Sequence, residues 1–158
     1  MVRKSLGQHW LFDQKALNTV VSAAEIAPKD TVIEVGPGLG TLTELLLQKA
    51  KKVIAVEKDG VLAGDLERKL PAENLEVIAG DILEFDFRQL PPGYKVAANI
   101  PYYITSKLLR VLLENPNPPS IMSLLVQKEV AERIAAGPGR MSVLAVSIQY
   151  FAQPHQKR

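Results

Sequence analysis

The segment Asn99-Ile100-Pro101-Tyr102-Tyr103 places an amide, a proline and two aromatic rings directly after an apolar segment. The amino nitrogen of adenine is a poor nucleophile, because its lone pair is delocalised into the ring. The Asn99 oxygen and a backbone carbonyl of a tight turn can each accept one N–H, which turns that lone pair towards an incoming methyl group. Tyr102 can stack on a base that has left its helix. We therefore predict that Asn99, Pro101 and Tyr102 form a catalytic turn for methylation of a nucleic-acid base, although Asn-x-Pro-Tyr alone is also an ordinary turn sequence.

A glycine-rich turn follows the apolar, β-branched segment from Val32 to Val35 and precedes a helical pattern that begins at Thr41. This order predicts a strand, a loop and a helix, in which the backbone at Gly36 and Gly38 comes close to a ligand. The dinucleotide fingerprint needs its third glycine three positions after the second, whereas this turn has the spacing G-x-G-x-G. The spacing therefore disfavours an NAD-dependent oxidoreductase.

Acidic residues follow the next two predicted strands. Glu57 ends the apolar segment that begins at Val53, and Asp81 follows the segment 75–79 and Gly80. Open α/β sheets bind ligands at the edge where the carboxyl ends of their strands meet, and a carboxylate there can accept hydrogen bonds from both hydroxyls of a ribose. Each acid alone is more often a solvated loop residue. A glycine turn, Glu57, Asp81 and Asn99 after four successive strands predict a ligand site at this edge.

The predicted elements alternate along the chain. They are a helix from Asp13 to about Ala27 ended by Pro28, strands at 31–35, 53–57, 75–79, 95–99 and 121–127, and helices at 41–50, 60–70, 105–114, 128–136 and 142–152. This alternation predicts an α/β fold with a mostly parallel sheet and helices on both faces. The proline-rich connections at 91–93 and 115–119 are too short to be domain linkers, so we predict a single domain over residues 1–158.

These motifs, together with Ser5-Leu6-Gly7-Gln8-His9-Trp10-Leu11, resemble the ribosomal RNA adenine dimethyltransferase family. The resemblance runs through nearly the whole chain and includes the segments 125–134 and 139–144. It implies a cofactor site for S-adenosylmethionine, lined by His9, Leu11, Gly36, Gly38, Glu57, Asp81 and Asn99. The family often has Gln-Asn-Phe-Leu where this sequence has Gln8-His9-Trp10-Leu11, so His9 departs from the family in residue type.

The resemblance also implies a Rossmann-like class I methyltransferase fold, and the addition of two methyl groups to each of two adjacent adenosines in small-subunit ribosomal RNA. Glu57 would hold the ribose of the cofactor, Asp81 its adenine amino group, and the loop from Gly36 to Gly40 its methionine portion. A sulfonium is an activated methyl donor, so no strong general base is expected.

The expected partner is ribosomal RNA in a precursor of the small subunit, and the expected process is ribosome biogenesis. Two alternatives stay open. One is methylation of a large-subunit adenine, as in the antibiotic-resistance branch of the same superfamily, and the other is a non-catalytic role in RNA binding or ribosome assembly. The intact Asn-Ile-Pro-Tyr turn argues against the second alternative.

The composition adds little to these predictions. A net charge of +2 permits RNA binding without indicating it. The absence of cysteine, of a long apolar segment and of a signal-peptide pattern predicts a soluble, cytoplasmic protein, for which we expect a monomer.

His9 and His155 are the only histidines, and no metal-ligand spacing is present, so no metal is expected. Arg3 and Lys4 are candidate phosphate contacts or ordinary solvated charges, whereas Lys49, Lys51 and Lys52 suit the C-terminus of a helix.

The sequence ends at Arg158, where the resembled family continues with two further strands of the sheet and a small helical domain. We therefore expect the N-terminal part of a longer enzyme, with a methyltransferase domain incomplete at its C-terminal end; a natural minimal form is the alternative. Missing strands would leave an exposed sheet edge, which favours self-association.

Overall fold

A computed structural model of the protein describes residues 14–100 and 103–156. Its centre is a five-stranded sheet in which every pair of neighbouring strands is parallel. The strands are β1 (Thr31–Val35), β2 (Lys52–Glu57), β3 (Leu75–Ala79), β4 (Lys95–Asn99) and β5 (Ile121–Leu125), in the spatial order β3-β2-β1-β4-β5. The chain crosses from β3 at one edge over β2 and β1 to β4, so β1 and β4 are the neighbours at which the strand order reverses. Ligands of open α/β sheets bind at this switch point.

Six α-helices and two short 3₁₀ helices connect or flank the strands in the described part of the chain. The helices are α1 (Gln14–Ala23), α2 (Thr41–Leu47), α3 (Gly60–Lys69), α4 (Thr105–Glu114), α5 (Lys128–Ile134) and α6 (Val143–Phe151), and the 3₁₀ helices are Ile82–Glu84 and Phe87–Gln89. The alternation predicted from the sequence is therefore confirmed, as is the parallel sheet.

The core lies in two layers, one on each face of the sheet. On one face, α1 and α2 cover alternate strand residues that include Val32, Val53 and Ala97. On the other face, α4 and the 3₁₀ helices cover Ile33, Ile54, Val96 and their neighbours. A parallel sheet that is buried on both faces needs apolar side chains pointing both ways, which is why these strands read as continuous apolar segments in the sequence.

Several predicted boundaries match the structure and others are wrong by a few residues. The strands at 31–35, 75–79 and 95–99 and the helix at 105–114 have the predicted bounds. The first helix ends at Ala23, four residues earlier than predicted, because Glu25 adopts a left-handed conformation with φ of 50° before Pro28 is reached. Asp13, the predicted N-cap of this helix, lies outside the described residues.

The helix predicted at 41–50 ends at Leu47. The last carbonyl of the helix and one carbonyl beyond it bind a distant part of the chain, since the Asn74 amide donates to Leu47 O at 3.1 Å and to Ala50 O at 3.2 Å. The remaining differences are one or two residues: β2 begins at Lys52, α3 ends at Lys69, β5 ends at Leu125, α5 ends at Ile134 and α6 spans Val143–Phe151. The two 3₁₀ helices after β3 were not predicted.

Candidate active site

The glycine turn leaves β1 at the switch point and leads into α2. Gly36, Gly38 and Gly40 all have positive φ, at 64°, 54° and 82°, and the Gly36 N–H donates to Val56 O at 2.9 Å. Among the described residues, no atom lies within 4 Å of the position that a Cβ atom would take at Gly36, so they leave this part of the turn uncovered. A Cβ atom at Gly40 would lie 2.5 Å from Leu66 Cδ1, so there the turn packs closely on α3.

Lys69 fixes the outer side of the turn. Its ammonium donates to Leu39 O at 2.9 Å and lies 3.0 Å from Glu44 Oε1 in α2. The side chain therefore joins the end of α3 to both the glycine turn and the first turn of α2. No feature of the local sequence predicted this contact.

Glu57 ends β2 with its carboxylate directed at the same turn. The Gly38 N–H donates to Oε2 at 3.1 Å, and the Asp59 N–H donates to Oε1 at 3.0 Å. Only 4% of the residue is exposed. Each carboxylate oxygen can accept a second hydrogen bond, so Glu57 holds the turn and still has acceptor capacity.

Asp81 follows β3 at the same edge of the sheet. Its Oδ1 accepts from the Leu83 N–H at 3.0 Å, and its Oδ2 lies 2.7 Å from the Lys58 ammonium. The hydrogen bond from Lys58, followed by the one from Leu83, lowers the pKa of this carboxyl, and the same ion pair raises the pKa of Lys58. Sequence reasoning missed Lys58, although an ammonium next to Glu57 on the ligand-binding edge is a signal that could have indicated it.

Asn99 is the last residue of β4, which lies on the opposite side of β1 from β2 and β3. It is half-buried and paired in register with Leu125 of β5, and the following Ile100 N–H donates to Leu125 O at 3.1 Å. Gly36, Glu57, Asp81 and Asn99 thus lie after four adjacent strands, as predicted. The predicted site residues His9, Leu11, Pro101 and Tyr102 lie outside the described residues.

Glu34 is a buried acid that the sequence analysis treated only as part of an apolar segment. It lies in β1, two residues before Gly36, and 1% of it is exposed. Burial raises the pKa of its carboxyl to about 8; the nearby Thr43 opposes this rise and the charge of Glu57 adds to it. A single carboxylate inside a run of β-branched residues is the signal that could have indicated it, because Glu is rarely fully buried.

In the part of the chain that the structure describes, no group of three or more His, Cys, Asp or Glu side chains is arranged to bind a metal ion. None of the described helices is both long enough and apolar enough to span a membrane.

Comparison with known families shows to which family the chain belongs. The family described as ribosomal RNA adenine dimethylase matches residues 1–156. The chain belongs to this family. Membership of this family implies S-adenosylmethionine as the methyl donor.

Dimethylase-family relatives with curated names carry a consistent description. "Ribosomal RNA small subunit methyltransferase A" from Dehalococcoides mccartyi strain 195 is 47% identical over 158 residues, covering 96% of this chain and 54% of that protein. The protein of the same name from Alkaliphilus metalliredigens is 42% identical over 160 residues, covering 96% of this chain and 56% of that protein. The chain therefore spans about half the length of the curated relatives it matches.

Solved structures give the same fold. A dimethyladenosine transferase from Plasmodium falciparum superposes with a TM-score of 0.77 at 32% identity, over 89% of this chain and 52% of that one. The 23S rRNA methyltransferase ErmE superposes with a TM-score of 0.75 at 34% identity, over 87% of this chain and 56% of that one. The Rossmann-like methyltransferase fold predicted from the sequence is thereby confirmed.

Proposed function

We propose that this chain is the S-adenosylmethionine-binding domain of an enzyme that dimethylates two adjacent adenosines of small-subunit ribosomal RNA. The observation that carries the proposal is the convergence of the glycine turn, Glu57, Asp81 and Asn99 at one edge of the sheet, in a member of the dimethylase family. Because the curated relatives are about twice as long, we assign residues 1–158 to the methyltransferase domain and expect a further segment to contribute to RNA binding.

The chain's residues fit the cofactor. The described residues leave space next to Gly36 for a ligand against the backbone of the turn, and we assign this space to the methionine portion. Glu57 keeps one acceptor site on each carboxylate oxygen after binding Gly38 and Asp59, which suits the two ribose hydroxyls. His9 and Leu11 are assigned to the same site from the sequence resemblance.

Asp81 is assigned to the adenine amino group of the cofactor. Its ion pair with Lys58 and its bond from Leu83 hold the carboxylate in one orientation while leaving a second acceptor position on each oxygen. The side chain is 24% exposed, so a ligand can reach it.

Asn99 is assigned to the methyl acceptor, with Pro101 shaping the turn and Tyr102 stacking on the target base. When bound, S-adenosylmethionine supplies an activated sulfonium methyl group. The Asn99 side-chain oxygen accepts one N–H of the target amino group and orients the nitrogen's lone pair. The methylated nitrogen becomes acidic, so no side chain has to act as a strong base.

The named relatives favour the small subunit over the large one. The curated relatives that match over 96% of this chain are small-subunit methyltransferases, whereas ErmE, a 23S rRNA methyltransferase, is similar in fold and in identity at 34%. The shared fold does not distinguish the two targets, so we place the choice of RNA in surfaces outside the cofactor site. The proposed substrate is a small-subunit precursor, and the proposed state is a cytoplasmic monomer.

Two measurements test the proposal. Calorimetry of this chain with S-adenosylhomocysteine, the demethylated product of the cofactor, and with NAD should give binding only for the former. Tritiated-methyl incorporation should then be compared on immature small subunits and on large subunits, with this chain and with a longer natural chain that contains it. We expect the longer chain to label small subunits and this chain to label them poorly, since RNA affinity depends on many phosphate contacts. Binding of NAD alone, or labelling of large subunits alone, would refute the proposal.

A further inference from the structure

Three polar side chains lie together beneath the glycine turn. Glu34 is in β1, Thr43 is in α2 and Glu57 ends β2, and all three are buried. The Thr43 hydroxyl lies 3.8 Å from the position that a Cβ atom would take at Gly40. The Glu57 carboxylate binds the Gly38 N–H. The cluster therefore binds the turn at Gly38 and lies near it at Gly40.

The hydrogen bonding of this cluster is incomplete in the part of the chain that the structure describes. Glu34 Oε2 and Thr43 Oγ1 are both buried, and neither makes a well-formed hydrogen bond. The Thr43 hydroxyl is near enough to lower the pKa of Glu34. The hydroxyl and the carboxyl are therefore close together, but without good hydrogen-bond geometry. An ionised carboxylate in such a place is costly, because it has lost water without gaining donors.

Among the described residues, one charged group acts on Glu34. In the neighbouring strands its register partners are Ala55 and Ala97, which carry no charge. On the same face α1 contributes apolar side chains, and α2 contributes Thr43 and leucines. The charged group that acts on Glu34 is Glu57, which has the same sign. The ion pair of Asp30 with Lys95 lies at the opposite end of these strands, since Lys95 begins β4.

We propose that Glu34 is a positioning residue that supports the glycine turn and Glu57 in their cofactor-binding arrangement, and does so only as a neutral carboxylic acid. The proposal rests on the proposed cofactor site. Ionised Glu34 would place a second negative charge beside Glu57 in a buried position, and the cluster can relieve this only by moving apart or admitting water. Since Glu57 holds the Gly38 N–H, such a movement displaces the turn.

The consequence is a loss of cofactor affinity in mildly alkaline solution. Burial raises the pKa of Glu34 to about 8, so at pH 7 most molecules hold the neutral acid and at pH 9 about one in ten does. Apparent affinity falls with the fraction of competent molecules, so we expect about a tenfold loss between these pH values.

Calorimetry with S-adenosylhomocysteine at pH 7 and pH 9 tests this. The wild-type chain should lose about tenfold in affinity relative to Glu34→Gln, in which a neutral amide of similar shape stays neutral throughout. Ionisation of S-adenosylhomocysteine itself changes with pH in the same way for both proteins, so it cancels in the ratio of their affinities. Glu67→Gln, which changes an exposed acid of α3, should follow the wild type. Parallel pH profiles for the wild type and Glu34→Gln would overturn the proposal.

Thr43→Val provides a second, independent variant. Thr43 lowers the pKa of Glu34, so removal of its hydroxyl should move the midpoint of the affinity loss to higher pH. A midpoint that stays in place or moves to lower pH would contradict the role given to the cluster.

A measurement without cofactor separates this proposal from the proposed function. Hydrogen exchange of the Gly36, Gly38, Leu39 and Gly40 amides, corrected for the intrinsic pH dependence, reports the order of the turn in the free protein. Protection should fall above pH 8 in the wild type and persist in Glu34→Gln. If neither protein bound S-adenosylhomocysteine, the proposed function would fail while this exchange difference still supported the role of Glu34. Equal protection in both proteins would refute that role whatever the binding result.

Discussion

The Lys58 ammonium lies 2.7 Å from Asp81 Oδ2, so an ion pair joins the loop after β2 to the loop after β3. Lys58 directly follows Glu57, the proposed ribose ligand. Glu57 and Asp81, the two acids assigned to the cofactor, are therefore linked through Lys58. The Lys58 ammonium binds one Asp81 oxygen, and the Leu83 N–H binds the other.

Lys58→Met should weaken binding of S-adenosylhomocysteine and lower stability slightly at neutral pH. Lys58 is exposed and Asp81 is partly exposed, and ion pairs near the surface contribute little to folding. The pKa of Asp81 is lowered in the folded chain, so its contribution to stability is present above the unfolded value of 3.8 and is lost as the pH falls through the lower, folded value. The stability difference between wild type and variant should thus be constant near pH 7 and vanish in strong acid.

Urea unfolding at several pH values measures this difference. Arg68→Met is a matched control, because it removes another exposed ion pair, that of Arg68 with Asp65 in α3. We expect similar small changes in stability for both variants and a loss of cofactor affinity only for Lys58→Met. A loss of affinity in both would indicate a general effect of charge.

Glu57→Ala should reduce cofactor affinity by about 2–3 kcal/mol, because two charge-assisted acceptors for ribose hydroxyls are removed. It should also reduce stability, since the Gly38 and Asp59 N–H groups both lose their acceptor. Calorimetry and urea unfolding separate the two effects. Unchanged affinity in a folded variant would remove Glu57 from the site.

Gly36→Ala and Gly40→Ala should behave differently although both residues have positive φ. Each substitution strains the backbone by roughly 1–2 kcal/mol. At Gly40 the new methyl group would also meet Leu66 Cδ1 at 2.5 Å and Leu70 Cδ1 at 3.2 Å. Gly40→Ala should therefore unfold at lower urea concentration than Gly36→Ala.

The two variants should differ in the opposite order in ligand binding: Gly36→Ala should be the more stable variant but the weaker binder. The methyl group of Gly36→Ala enters the open space assigned to the cofactor, so this variant should stay folded and bind S-adenosylhomocysteine weakly. Wild-type affinity in folded Gly36→Ala would place the cofactor elsewhere.

Asn99→Ala should abolish methyl transfer and change cofactor affinity by no more than a few fold, because the side chain is assigned to the target amino group. Rates are best measured in a longer natural chain that contains these residues, with cofactor affinity measured in parallel. A large loss of cofactor affinity would shift the role of Asn99 to the methionine end of the cofactor.

Tyr102→Phe should be mild and Tyr102→Ala severe for methyl transfer, because stacking needs the ring and not the hydroxyl. Cofactor affinity should be similar in the two variants. If the Phe variant were as inactive as the Ala variant, the stacking role would be wrong.

The sheet was predictable because its information is local. Strands such as β1 and β4 are buried on both faces, so apolar composition and flanking turns mark their ends. Helix ends were less predictable, since they depend on distant partners. The Asn74 side chain can bind the carbonyls at the end of α2 only once the start of β3 lies beside that helix. The left-handed conformation of Glu25 ends α1 although the sequence after Ala23 still favours a helix.

The same distinction applies to the site. The shared position of Gly36, Glu57, Asp81 and Asn99 was predictable from strand ends, because parallel topology places such residues at one edge. Lys58 and Lys69 act through charges that meet only after folding. Glu34 was visible as an acid in an apolar strand, but its approach to Thr43 and Glu57 depends on how α2 and β2 pack beside β1.

The strand order also sets a sequence of events in folding. β1 pairs with β2, and β2 with β3, through segments that follow one another along the chain. Asn99 reaches the edge only when β4 pairs with β1, a contact such as Val32 with Lys95 that closes a much longer loop. The half of the proposed site that carries Glu57 and Asp81 can therefore assemble early during synthesis, and the half that we assign to the nucleic acid is completed later.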